Sequence, residues 1–255
     1  MKHYFLFFLL CTCLCIFIPT ASTIKEAKSE SDDSSFINSY EEDLTGDGLR
    51  EYVTLNGVLL TDKSDYYRDV WLDITSPFSH QWKISFEGGY DPHLQLIDFN
   101  HDHTFDMFYE VAKDEDKRHN FYQLYTLKNG EVEQIPLPKN NHIRGEFVKN
   151  FQVELNMHPN KKPMQINIKD KKDDYVQEEI YDENGKLLKK QQINISPITF
   201  MEPILISETK GYGLKSYQSV KGTNQNDLFG EIVTLWYYKN DKWVALKSDW
   251  RENSS

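Results

Sequence analysis

Beyond Cys15 the chain has no cysteine, since Cys11, Cys13 and Cys15 make up its whole complement. A thiol nucleophile and a disulfide framework are therefore excluded for everything downstream, which must be held by a packed core or by bound metal. Clustered positive charge is missing too. Asp and Glu outnumber Lys and Arg 40 to 29, and the formal charge of −11 argues against a nucleic-acid partner, because neutralising phosphates needs grouped Lys and Arg. No stretch after the first residues shows a sustained 3.6-residue apolar period with caps, so helices are few. Nor is there a nucleophile elbow, a phosphate loop, a His-Glu-x-x-His motif or a Gly-rich dinucleotide turn.

A long apolar run occurs at the start of the chain. Met1-Lys2-His3 precedes it, the run extends from Tyr4 to Ile18, and Pro19-Thr20-Ala21-Ser22-Thr23 follows with small residues. That length suits the core of a secretory signal and is short for a membrane helix of roughly 20 residues. Residues 1–22 are expected to be a signal peptide cut after Ala21 or Ser22, with an uncleaved anchor as the competing reading. A lipid anchor on Cys13 or Cys15 lacks the small residue normally wanted just before the cysteine. Removal of Lys2 takes the formal charge to about −12. The expected localisation is secreted or envelope-associated, with no transmembrane span in the mature chain, and exported chains without cysteine are a habit of Gram-positive bacteria. Residues 23–35 are polar and read as a flexible linker. From residue 36 to 252 the chain is dense in Tyr, Phe, Trp, Ile and Val, enough to bury a substantial core.

Two acidic loops stand out. The first runs Asp43-Leu44-Thr45-Gly46-Asp47-Gly48-Leu49-Arg50-Glu51, the second Asp98-Phe99-Asn100-His101-Asp102-His103-Thr104-Phe105-Asp106. Both place oxygen side chains at positions 1, 3, 5 and 9, a spacing that wraps one tight turn around a hard cation such as Ca²⁺. In the first loop the candidate ligands are Asp43, Thr45, Asp47, the Leu49 carbonyl and Glu51. In the second they are Asp98, Asn100, Asp102, the Thr104 carbonyl and Asp106. Gly48 stands where the chain must turn sharply, and His103 occupies that place in the second loop at a cost in backbone strain. An EF-hand is excluded, because its position 12 needs Glu and here holds Thr54 or Tyr109, and because strand-like residues flank both loops.

A second signal repeats with the same spacing as Asp43 and Asp98. Phe121–Val132, Val176–Leu187 and Ile232–Trp243 align without a gap, each an apolar, aromatic-rich strand, an Asn turn (Asn129, Asn184, Asn240) and a second strand. Asn-Gly and Asn-Asp supply the positive φ of two-residue hairpin turns. Val70–Ile74 and Gln81–Phe86 make a less well matched fourth hairpin. The expected fold is all-β, in four modules of about 55 residues (about 36–90, 91–145, 146–200 and 201–252). Four strands in about 50 residues is the scale of a propeller blade, so the arrangement is expected to be propeller-like, with an irregular β-sandwich as the alternative.

The strand–Asp-x-Asx-x-Asp-Gly-x-x-Asp–strand unit, from which the loops depart at Thr45 and His103, resembles the FG-GAP/VCBS-type repeat, well over Phe36–Glu110 and beyond that only through the hairpin period. The resemblance implies Ca²⁺ in the loops, a propeller-like architecture as in integrin α-subunits, and an extracellular binding or scaffolding role. Other chemistry is weaker. His101-x-His103 beside Asp98 and Asp102 also permits a transition metal. Asp114/Asp116 and Asp173/Asp174 could be drawn as a glycosidase pair but sit in Lys-rich polar runs that read as solvated turns. Asn194-Ile195-Ser196 matches a glycosylation acceptor, without meaning in a bacterial chain. Tyr66, Tyr67, Trp71, Trp82, Trp236–Tyr238 and Trp243 are candidates for stacking on sugar or gripping a protein, or for filling a core. The functional expectation is a secreted, non-catalytic β-repeat protein that binds Ca²⁺ and an unidentified protein or glycan partner. The alternatives are a secreted hydrolase acting on cell-wall glycan or peptide, and an acidic regulator of another exported protein.

Overall fold

The computed structural model describes residues 34–139, 142–158, 161–224 and 227–253. The expected signal peptide, and the expected linker up to residue 33, lie outside them. The linker expected to reach residue 35 ends sooner, because Ser34 and Ser35 already pair with Val58 and Gly57 in a strand ladder.

The architecture is all-β. The first half holds β1 (Ser34–Glu42), β2 (Glu51–Leu59), β3 (Tyr66–Thr75), β4 (Gln81–Phe86), β5 (Gly89–Ile97), β6 (Asp106–Ala112), β7 (Asn120–Lys128) and β8 (Glu131–Gln134). They form one antiparallel sheet in the order β1-β2-β3-β5-β6-β7-β8, with β4 also paired to β3. β5 and β6 begin as far along the chain from β1 and β2 as Asp98 lies from Asp43, so the acidic loops are equivalent connections in two copies of one unit.

Strands alternate inward and outward, as the period of two demands. Val53 and Leu55 of β2 and Val70, Leu72 and Ile74 of β3 point to one face and are buried. The chain passes from β4 into β5 through Glu87-Gly88, where a Cβ at Gly88 would fall 2.4 Å from the Tyr67 carbonyl oxygen, so only glycine admits that close approach. The two units meet over a shared core in which Leu72, Ile84 and Phe86 cluster with Leu94, Met107, Tyr109 and Val111. Phe86 stacks on Tyr109 at 4.1 Å, and the Tyr40 hydroxyl donates across to the Leu94 carbonyl at 2.9 Å.

The second half holds a three-stranded sheet of β9 (Arg144–Val148), β10 (Gln152–Asn156) and β11 (Met164–Asn167), a 3₁₀ turn (Lys169–Lys171) and α1 (Lys172–Gln177). A five-stranded sheet comes next: β12 (Asn194–Ile195), β13 (Phe200–Ser207), β14 (Gly211–Lys221), β15 (Leu228–Lys239) and β16 (Lys242–Glu252), with β12 and β13 both on β14. Phe147, Val153, Tyr175 and Tyr181 pack with Val220, Phe229 and Ile232 in one core. In another, Phe99, Phe108, Tyr122 and Leu124 of the first half meet Met201, Leu214, Trp236 and Tyr238 of the last sheet.

The hairpins at Asn129-Gly130 and Asn240-Asp241 form with positive φ at both turn residues, as the two-residue connection requires. The hairpin over β3 and β4 also forms. The segment Val176–Leu187 does not become a hairpin. Val176 lies near the end of α1, and at Asn184-Gly185 there is a turn closed by a single bridge, Tyr181–Leu187. The cause is tertiary: Tyr175 of α1 is buried and its hydroxyl donates to the Asp227 carboxylate, which also pairs with Lys171. The stretch 146–200 therefore differs from the other three expected modules. No helix among the described residues is long and apolar enough to cross a membrane.

Candidate functional site

The two acidic loops connect β1 to β2 and β5 to β6, and their hydrogen bonds match position by position. The first carboxylate takes two backbone amides. Asp43 accepts from Gly46 N at 2.7 Å and Gly48 N at 2.8 Å, and Asp98 accepts from His101 N at 2.6 Å and His103 N at 3.1 Å. Position 5 takes the amide two residues on: Asp47 from Leu49 N at 2.8 Å, Asp102 from Thr104 N at 3.0 Å. Position 9 is fully buried and caps the loop's start. Glu51 accepts from Leu44 N at 2.8 Å and Thr45 N at 3.2 Å, and Asp106 from Phe99 N at 2.8 Å and Asn100 N at 3.0 Å. The position-3 side chain donates to position 9 in both loops, Thr45 Oγ1 to Glu51 at 3.3 Å and Asn100 Nδ2 to Asp106 at 3.0 Å.

The backbone obeys the same template. Gly48 and His103 have φ of 84° and 72°, as expected for the sharp turn, and position 4 is also left-handed, with φ of 76° at Gly46 and 65° at His101. Glycine meets this at no steric cost, whereas each histidine carries strain. His103 is exposed, but His101 is held: its ring stacks on Tyr237 of β15 at 4.5 Å, and a Cβ at Gly211 would fall 3.2 Å from its Nδ1. Sequence reasoning missed this role for His101. Burial lowers its pKa against the pull of Asp98 and Asp102.

The loops are neighbours in space, since a Cβ at Gly46 would lie 2.9 Å from Thr104 Cγ2. Each loop carries three carboxylates, and among the described residues none of the six forms an ion pair with Lys, Arg or His. Burial pushes the Asp106 carboxyl up to about 6, against the amides of Phe99 and Asn100 that favour its charged form. Among the described residues no three His, Asp or Glu side chains gather as a ready metal cluster, the His101/His103 pair included. The reason is visible in the bonds above: each carboxylate turns toward backbone amides. One amide per oxygen still leaves a lone pair on each oxygen of Asp43 and Asp98. Carboxylate oxygens of this kind suit a hard cation better than zinc.

Of the other sequence candidates, Asp114 accepts from His119 and Arg118 on an exposed turn after β6, and Asp173 and Asp174 fall in the first turn of α1. Neither pair faces a cleft as a glycosidase acid and base would. Trp71 donates to Asp73 at 2.7 Å, Trp236 is buried and donates to Ser216 at 2.8 Å, and Trp243 donates to the Pro136 carbonyl at 2.7 Å.

Residues 141–251 match the family described as the YybI C-terminal domain. That stretch takes in the three-stranded sheet, α1 and nearly all of the last sheet, and lies wholly after both acidic loops. No curated protein matches the chain. Among solved structures it is similar to the rhamnogalacturonan lyase PL11 of Bacillus licheniformis, with 12% identity and a TM-score of 0.37 over 85% of this chain and 34% of that one. The chain spans about a third of that lyase's length, and a likeness this loose says nothing of fold or chemistry.

Proposed function

We propose that the chain is a non-catalytic β-repeat binding module whose two acidic loops each take a Ca²⁺ ion that stiffens the scaffold, and that it holds a protein or glycan partner in the extracellular or envelope space. The observation that carries this reading is the matched pair of loops. Two segments identical only at Asp43/Asp98 and Asp47/Asp102 adopt one backbone path and one hydrogen-bond pattern, and each sets three carboxylates in one loop with no cation of the described residues paired to them. Carboxylates of one loop that lack a cationic partner carry like charge, and a divalent ion offsets it. Asp43, Thr45, Asp47 and the Leu49 carbonyl would hold one ion, with Glu51 behind them. Asp98, Asn100, Asp102 and the Thr104 carbonyl would hold the other, with Asp106 behind. When bound, Ca²⁺ supplies charge compensation and rigidity.

The propeller-like reading is supported by the way each loop leans on a later part of the chain. Position 4 of the first loop packs against the second loop, and position 4 of the second packs against the β13–β14 turn and β15. The irregular sandwich is favoured by the core that Phe99, Phe108 and Tyr122 share with Met201 and Trp236. An extracellular setting rests on the leader-like residues 1–22 and the cysteine-free remainder.

The test is thermal unfolding with calcium and with chelator. Ca²⁺ at a hundred times its Kd stabilises by about 2.7 kcal/mol per site, a shift of several degrees in the midpoint. An unchanged midpoint in millimolar calcium would end the metal reading.

A further inference from the structure

Beside the first acidic loop, three hairpin ends enclose a cleft of about 460 Å³, within the range of small-ligand sites. We propose that this cleft binds a neutral sugar residue of a glycan, an inference that rests on the binding-module reading and names its ligand class. One wall is the turn between β3 and β4, which is fastened to itself: Ser76 N donates to the His80 carbonyl at 2.9 Å, Ser79 N to the Ser76 carbonyl at 3.0 Å, and His80 N to Ser76 Oγ at 3.1 Å. This rigid turn presents Phe78, which is 68% exposed and the most exposed large apolar side chain among the described residues. A ring held out at a cleft with so little packing against the protein offers its face to a ligand.

The second wall is Trp82, whose indole is pinned by its Nε1 donating to the Gly130 carbonyl at 2.8 Å, and whose ring lies 6.1 Å from that of His80. An exposed ring on a fastened turn and a pinned indole suit the apolar C–H face of a pyranose. Around them, the exposed Asp47 and Gln81 supply carboxylate and amide groups for a sugar's hydroxyls.

Charge selects the class. Neither Lys nor Arg lines the cleft, and the charge of an ion in the first loop is met by Asp43 and Asp47, so an anionic ligand finds little counter-charge there. An organic cation is the competitor, because Asp47 and Glu51 are at hand. Glu51, however, is fully buried and engaged by Leu44 N, Thr45 N and the Thr45 hydroxyl, and Asp47 is a ligand in the calcium reading, which spends its charge on the ion. A neutral polyol is the chemistry that remains.

The test is calorimetry on the mature chain in calcium with neutral gluco-, galacto-, manno- and N-acetylglucosamine oligosaccharides, oligogalacturonate and tetramethylammonium, with the calcium-dependent midpoint recorded on the same samples. One or more neutral oligosaccharides should bind, and Phe78→Ala should weaken that binding about tenfold while leaving the midpoint and its calcium shift intact. Binding of oligogalacturonate or tetramethylammonium alone overturns the proposal. So does silence from the whole panel, or neutral-sugar binding that Phe78→Ala leaves unchanged. A calcium shift without sugar binding would overturn this inference alone, and sugar binding without a calcium shift would overturn the metal reading alone.

Discussion

His101 and His103 stand two residues apart in one loop, share a left-handed backbone and do opposite things. His103 is exposed, so its strain, about 1 kcal/mol for a non-glycine residue in that region, is offset by no packing. His103→Gly is therefore expected to stabilise by up to about 1 kcal/mol, less the chain entropy that glycine adds. His101→Gly relieves similar strain but removes the stack on Tyr237, worth about 0.5–1.5 kcal/mol together with the ring's burial, so it should be neutral or destabilising. Urea unfolding of the two variants checks the contrast, and equal effects would show that the stack contributes nothing. The position of His103 was legible in the sequence because Gly48 marks it in the other loop. The left-handed state at Gly46 and His101 was not, since a glycine and a histidine suggest no common backbone until their φ values are compared.

Among elements, hairpins whose turn residues carry their own cause were legible. Asn129-Gly130 and Asn240-Asp241 favour the positive φ that the turn needs, and the flanking strands supply alternating apolar faces. Val176–Leu187 has a similar pattern and folds otherwise. Tertiary contacts override the local preference there, because the Tyr175 hydroxyl and Lys171 close on Asp227, which is only 9% exposed, and that anchorage draws Lys172–Gln177 into a short helix. No pattern at 172–177 announces a partner so distant in the chain. Tyr175→Phe removes one donor to that buried carboxylate and should cost about 1–3 kcal/mol, with loss of amide protection confined first to α1 and the β14–β15 turn. Denaturant unfolding and hydrogen exchange measure both. A cost well below that of an ordinary buried hydrogen bond would mean that the helix is held by packing alone.

At the scale of the molecule, two halves of different character share one core. The first is a duplicated strand–loop–strand unit whose period was legible because the ligand-type residues recur at the same spacing. The second, which carries the match to the YybI C-terminal domain, has hairpins but no acidic loop of this kind among its described residues, and its assembly against the first half through Phe99, Tyr122, Met201 and Trp236 could not be read from a period. The second acidic loop lies at the junction: Phe99 at its position 2 is buried in the shared core, and His101 at its position 4 stacks on β15. An ion in that loop would therefore steady the contact between the halves, while an ion in the first loop would steady the floor of the Phe78 cleft. The central claim is tested most directly by calcium titration calorimetry of the chain from residue 23 onward beside its Asp43→Asn and Asp98→Asn variants. Two bound ions are predicted for the parent and one for each variant; no heat of binding in any of the three, with the midpoint of unfolding unmoved by calcium, would contradict it.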